Sequence, residues 1–118
     1  MPPFNMKNTD RVRLLHMLDA ASEALSFVEG RTSDDLTRDR MLLLAVVKDI
    51  EIIGEAASRI SPECRAATPG IPWGMVVGIR KRLTRAYFDL DLPIIWSTLT
   101  MDLPELIGEL ERVLASEG

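Results

Sequence analysis

The sequence is short of residue types on which several common chemistries depend. It has one cysteine, Cys64, and one histidine, His16. A single cysteine cannot form a disulfide within the chain, and one Cys with one His cannot build a Cys/His zinc site. We therefore expect neither a metal nor a cofactor.

Long apolar runs are also missing. The longest, Met41 to Val47, is far shorter than the roughly 20 residues that a membrane-spanning helix needs. The first residues lack a basic segment followed by an apolar run, which a secretory signal requires. We expect a cytoplasmic protein without a membrane span.

What is present is an ordinary globular composition with an acidic balance. The 118 residues are 47% hydrophobic and 27% charged, which predicts one domain over residues 1–118. The chain has 14 Lys and Arg against 18 Asp and Glu, and four of the cations lie close together: Arg80, Lys81, Arg82 and Arg85. Such a local cationic focus suggests one anionic ligand, such as an RNA phosphate or a nucleotide. Charge alone favours the alternative, solvated arginines that complement the dipole at a helix C-terminus.

The apolar spacing predicts helices throughout the chain. The predicted helices are Asp10 to Glu29, Arg38 to Ile60, a short one through Ala67, Trp73 to about Leu83, and one or two between Asp91 and Ala115. The predicted N-caps are Asn8 or Thr9, Ser61 and Asp91, and Gly30 ends the first helix. The connector from Arg31 to Thr37 suits a turn or one short helical turn. Because no strand pattern competes, we predict an all-α fold, an antiparallel bundle of four to five helices.

Two apolar stripes define the predicted core. The first helix offers Leu14, Leu15, Leu18, Ala21, Leu25 and Val28, and the central helix offers Leu42, Leu43, Val46, Ile50, Ile53, Ala57 and Ile60. The cationic residues lie around the inward-facing Ile79 and Leu83, at the C-terminal end of the predicted helix. They therefore lie at a junction between a helix and a loop.

Several short motifs carry a family resemblance. They are Glu51-Ile52-Ile53-Gly54-Glu55-Ala56, Ile71-Pro72-Trp73, Gly78-Ile79-Arg80, Tyr87-Phe88-Asp89-Leu90-Asp91 and Ile95-Trp96. Over nearly its whole length the chain resembles the HepT-like branch of the HEPN proteins.

The resemblance implies a metal-independent ribonuclease, the toxin of a type VII toxin–antitoxin module. It also implies a homodimer whose active site forms between two protomers, and a minimal nucleotidyltransferase antitoxin that adds AMP to the motif tyrosine. Arg80 takes the place of the motif arginine and Tyr87 that of the AMP-accepting tyrosine. Arg80, Lys81, Arg82 and Arg85 are then the RNA-binding residues.

The chain departs from the family motif at its catalytic centre. Arg85 stands at the position of the motif histidine, and Lys81 replaces the polar residue that commonly follows the arginine. Arginine stays protonated at physiological pH, so Arg85 can stabilise a phosphorane but cannot act as a general base. We expect a catalytic pair, Arg80 and Arg85, with weakened cleavage. The alternatives are a non-cleaving RNA- or nucleotide-binding dimer that accepts AMP, and a helical module that pairs its arginines with an acidic partner.

Three other residues are candidates to replace the missing base: His16, Glu51 and Glu55. His16 lies among leucines of the first helix, where a surface or boundary position is favoured over a catalytic one. Glu51 and Glu55 share one face of the central helix and could act as a base or orient Arg80. A buried or semi-buried Arg–Glu pair is the favoured interpretation. Tyr87 would share a helix face with Arg80 if the helix continued that far.

Overall fold

The structure is a computed structural model and describes residues 5–86 and 89–117. It is all-α apart from one short antiparallel strand pair, which confirms the predicted fold class. The helices are α1 (Asn8–Val28), α2 (Ser33–Arg38), α3 (Arg40–Ser58), α4 (Pro62–Ala67), α5 (Trp73–Val77), α6 (Ile79–Arg82), α7 (Leu92–Ser97) and α8 (Leu103–Glu117). The strands are β1 (Thr84–Ala86) and β2 (Asp89–Leu90), and a π-helical turn (Thr98–Asp102) joins α7 to α8.

The centre of the fold is an antiparallel pair of long helices, α1 and α3. Near one end of the pair, Arg13 Nη1 donates to the carbonyl oxygen of Arg59 at 2.8 Å. The Asp10 carboxylate at that end accepts from the backbone N–H of Ser61 at 2.9 Å and from its hydroxyl at 2.6 Å. α8 packs on α1, α5 and α6 pack on α3, and α2 contacts both α3 and α7.

The core confirms one predicted stripe and corrects the other. All seven predicted positions of the central helix are buried. In α1, Leu14, Ala21 and Val28 are buried as predicted, but Leu15 is 37% exposed. Leu18 and Leu25 are partly buried against the core, and the buried face of α1 also contains Met17, Ala20 and Ala24. Small alanines on this face let α1 approach α3 closely, a demand that hydrophobicity alone does not signal.

The structure confirms the predicted N-caps and the helix end at Gly30, except for the cap of α1. Ser61 caps α4 by accepting from the N–H of Cys64, and Asp91 caps α7 by accepting from the N–H of Ile94. Gly30 has φ +73°, the left-handed conformation expected after a helix end. The predicted cap at Asn8 or Thr9 is wrong, because both residues already lie inside α1 and Lys7 holds the cap position without a side-chain bond.

The segment that carries the cationic residues differs from the single helix predicted. The helix is interrupted at Gly78, which separates α5 from α6, and α6 ends at Arg82. The N–H of Asp91 then donates to the carbonyl oxygen of Leu83 at 2.7 Å, which closes a loop whose arms form β1 and β2. The strand pair was not predicted, because strands of two and three residues are too short to display an alternating pattern.

Candidate functional site

Packing on α3 determines where Arg80 lies. A Cβ atom placed on Gly54 would come within 3.2 Å of Ile79 Cγ2, so this glycine allows α6 to approach α3 closely. Ile79 is completely buried at the contact. The next residue, Arg80, therefore points outward, and its side chain is 76% exposed.

Arg80 stands at the edge of an open groove of about 950 Å³. The groove is bordered by α1 on one side and by α5 and α6 on the other, with α3 between them. Its apolar lining includes Val12, Ile52 and Val77, which are 41%, 37% and 37% exposed. The groove thus combines partly exposed apolar surface with charged groups from three elements.

The charge of the groove is opposite to that of the protein. Its cationic lining residues are Arg13, Lys48, Arg59, Arg80 and Lys81, and its carboxylates are Glu51 and Glu55. The whole chain carries a net charge of −4 at pH 7. A cationic concavity on an acidic protein attracts anions to one place on the surface.

The ion pairs inside the groove are exposed. A buried or semi-buried Arg–Glu pair was expected; Arg80 Nε is 3.9 Å from Glu51 Oε2, with Glu51 39% exposed and Arg80 76% exposed. Glu55 pairs with Arg59 at 2.8 Å and not with Arg80. Exposed pairs of this kind contribute roughly 0–1 kcal/mol, so both guanidinium groups can exchange their carboxylate for another anion.

The two lysines of the groove are free to bind an anion. Within the described residues, no carboxylate lies at ion-pair distance from Lys48 or Lys81. Arg82, by contrast, does not line the groove, and its Nη1 lies 3.8 Å from Asp102 Oδ2 in the π-helical turn. Of the four cations that form the sequence cluster, Arg80 and Lys81 are those that the structure places in the groove.

Two residues of the family motif fall partly or wholly outside the described residues. Arg85 belongs to β1, but its side chain is not among the described groups, and Tyr87 lies outside the described ranges. Because α6 ends at Arg82, the condition under which Arg80 and Tyr87 would share a helix face is not met.

His16 lies on the surface, as expected, and it borders the same groove as Arg80. It also borders a smaller hollow of about 230 Å³, in which Asp19, Glu23 and Asp49 are the acidic groups. Burial, together with the neighbouring Glu23, raises the pKa of Asp49 to about 7. His16 therefore lies between a cationic groove and an acidic hollow.

Three cationic groove residues were not predicted from the sequence: Arg13, Lys48 and Arg59. His16, for which a surface or boundary position was favoured over a catalytic one, also lines the groove. A helical signal was present, because charged residues 48, 51, 55 and 59 recur at three- and four-residue steps on the solvent face of α3. This spacing predicts a polar face on α3, but it does not predict which neighbouring helices form a groove with that face. Among residues 5–86 and 89–117, no group of three His, Cys, Asp or Glu side chains is arranged to hold a metal ion.

Comparison with known proteins gives consistent matches. Residues 17–113 match the family described as HepT-like, Ribonuclease HepT-like. A candidate RNase of Caldanaerobacter subterraneus subsp. tengcongensis is 33% identical over 109 residues, 92% of this chain and 97% of that protein. A candidate RNase of Methanocaldococcus jannaschii is 31% identical over 85% of this chain and 92% of its own length. A candidate ribonuclease HepT of Thermococcus cleftensis is 33% identical over 81% of this chain and 91% of its own length.

No solved structure matches the chain significantly. In the part of the chain that the structure describes, no helix is both long enough and apolar enough to cross a bilayer.

Proposed function

The chain belongs to the HepT-like ribonuclease family, and we propose that it binds the phosphate backbone of RNA in the cationic groove between α1, α3 and α6. The observation that carries the proposal is the concentration of five cations and two carboxylates in one groove of a protein with net charge −4. Its two lysines, which have no carboxylate at ion-pair distance among the described residues, and its two exposed, ion-paired arginines suit an anionic polymer.

The strength of this binding depends on salt in a way that the groove composition limits. Each phosphate that is neutralised on a single strand contributes about −0.7 to the slope of log affinity against log salt concentration. Five cations give a limit of about −3.5 for that slope. A helical module that pairs its arginines with an acidic protein would show no salt-dependent binding of RNA.

The test compares two arginines that differ only in location. Arg80 and Arg38 are 76% and 75% exposed, and each lies within 4 Å of one carboxylate, at 3.9 Å and 3.8 Å. We expect Arg80→Gln to weaken binding of labelled single-stranded RNA about ten-fold, which corresponds to one charge-assisted phosphate contact. The salt slope becomes shallower by about 0.7. Arg38 is the last residue of α2 and does not line the groove, so Arg38→Gln is expected to leave both the RNA affinity and the salt slope unchanged.

Fluorescence anisotropy at 50 to 200 mM salt measures both quantities on the purified full chain. Equal losses in the Arg80 and Arg38 variants would mean that the protein attracts RNA through its general charge and not through the groove.

Within this family we further propose a cytoplasmic homodimer that is the toxin component of a type VII toxin–antitoxin module. Arg80 serves as the motif arginine, and Arg85 contributes positive charge from the position of the motif histidine. A minimal nucleotidyltransferase antitoxin is the partner, and Tyr87 is the AMP acceptor. The family match and the groove around Arg80 support this proposal. Incubation with such a nucleotidyltransferase and ATP is expected to add the mass of one AMP, and Tyr87→Phe is expected to abolish that gain.

A second function is favoured by one observation, the arginine at position 85. Because a guanidinium keeps its proton, Arg85 cannot take a proton from the RNA 2′-hydroxyl. The chain would then bind RNA or a nucleotide without cutting it and act as the AMP-accepting partner of the nucleotidyltransferase. RNA binding without metal-free cleavage is the result that distinguishes this function from that of a ribonuclease.

A further inference from the structure

The only histidine of the chain lies in the proposed RNA groove. His16 is exposed on α1 and lines the groove together with Arg13, one turn earlier on the same helix. Across the groove, α6 supplies Arg80 and Lys81. The groove therefore contains one side chain able to exchange a proton near neutral pH and several able to hold phosphate.

Metal-free RNA cleavage needs such a side chain. The 2′-oxygen attacks the adjacent phosphorus as its proton is removed, a P–O2′ bond forms and the P–O5′ bond breaks. The leaving 5′-oxygen must receive a proton. Histidine is the residue type that ordinarily exchanges a proton between pH 5 and 8, whereas the arginine at position 85 cannot.

We propose that His16 is the proton-transfer residue of this groove. His16 removes the 2′-hydroxyl proton, and the imidazolium returns that proton to the 5′-oxygen, so the side chain ends in its starting state. Arg80 stabilises the negative charge of the phosphorane. The products are a 2′,3′-cyclic phosphate and a 5′-hydroxyl, with no oxidant, reductant or metal consumed. This proposal rests on the proposed binding of RNA in the groove.

The surroundings of His16 are charged on both sides. The titratable and charged groups that line the groove or the hollow near it are Arg13, Asp19, Glu23, Lys48, Asp49 and Glu51. The groove places cations near His16 and the hollow places carboxylates near it. Glu51 is the competing base in the groove, and its carboxylate faces the guanidinium of Arg80 at 3.9 Å.

The experiment measures cleavage and binding separately on the purified full chain. The probe is an end-labelled single-stranded RNA of mixed sequence, in buffer with a metal chelator and without added metal. The proteins are the wild type, His16→Ala and Glu51→Gln. His16 is exposed, so its replacement leaves the core intact. Free imidazole is added to the His16→Ala protein, because it can restore a missing proton carrier but cannot repair a structural defect.

We expect the wild type to cleave RNA and to leave products with cyclic phosphate ends. His16→Ala is expected to cleave about 10²–10⁴-fold more slowly. RNA affinity is expected to fall far less than the cleavage rate. Imidazole is expected to restore part of the cleavage, and the pH dependence of the wild type between pH 5 and 8 is expected to disappear.

Three results would overturn the role of His16 while leaving RNA binding intact. They are equal cleavage by the wild type and His16→Ala, loss of cleavage only in Glu51→Gln, and a wild type that binds RNA but does not cut it. Absence of salt-dependent RNA binding would instead contradict the proposed function itself.

Discussion

We expect the buried Asp49 to make the stability of this protein depend on pH. Its side chain is in α3, only 3% exposed, and its Oδ2 atom has no hydrogen-bond partner among the described residues. Burial and the nearby Glu23 carboxylate both disfavour the ionised form, which raises the pKa of Asp49 to about 7.

The sign of the effect follows from proton binding. In the unfolded chain an aspartate releases its proton near pH 3.9. Between about pH 4 and 7 the folded protein holds more protons than the unfolded chain, so the free energy of unfolding falls as pH rises. A difference of about three pH units corresponds to about 4 kcal/mol at most.

Asp49→Asn replaces the carboxyl group by a neutral group of the same shape. We expect the variant to match the wild type at pH 4 and to exceed its free energy of unfolding by about 2–4 kcal/mol at pH 8. Urea unfolding followed by circular dichroism, at one protein concentration from pH 4 to 8, measures the difference.

Asp19→Asn is the control, since Asp19 belongs to the same hollow but is exposed. We expect it to change stability by less than about 0.5 kcal/mol. If Asp49→Asn kept the pH dependence of the wild type, the account of a buried, protonated carboxyl group would be refuted.

Two further stability predictions concern single local features. Gly30→Ala is expected to lower the free energy of unfolding by about 1 kcal/mol because φ is +73° there, whereas Gly74→Ala, in α5 with no atom within 4 Å of the new Cβ, leaves it unchanged or raises it. Equal urea midpoints for the two variants would contradict this. Asp10→Ala is expected to cost about 1–3 kcal/mol because the N–H and hydroxyl of Ser61 lose their acceptor. A thermal melt within about 1 °C of the wild type would rule that role out.

Features that depend on neighbouring residues in the chain were predictable from the sequence. The long run of α3, the caps at Ser61 and Asp91, and the helix end at Gly30 all agree with the structure. Each arises from helical spacing or from a side chain that bonds to a backbone N–H a few residues away.

Features that depend on tertiary packing were not predictable in the same way. The helix break at Gly78 and the strand pair after Arg82 arise because the chain must return from α6 to the start of α7. The groove forms only where three elements meet. Arg80 was therefore predicted from its motif, while Lys48 was not predicted and His16 was favoured as a surface or boundary residue. Arg82 is the opposite case: it was predicted to bind RNA because it belongs to the sequence cluster, but it lies outside the groove and close to Asp102.

The π-helical turn between α7 and α8 limits how this domain can change in length. Ile95, Leu99 and Leu103 are spaced four residues apart, and all three are completely buried. In a regular α-helix, the side chains of residues 95 and 103 would point in directions that differ by about 80°. The π-helical turn is wider than an α-helical turn and reduces this angular difference. α7 therefore packs on α2 while α8 packs on α1. Deleting one residue there would rotate everything downstream by about 100°. Among related sequences, substitutions at the exposed Thr100 should therefore be frequent, while single-residue insertions or deletions in this turn should be rare.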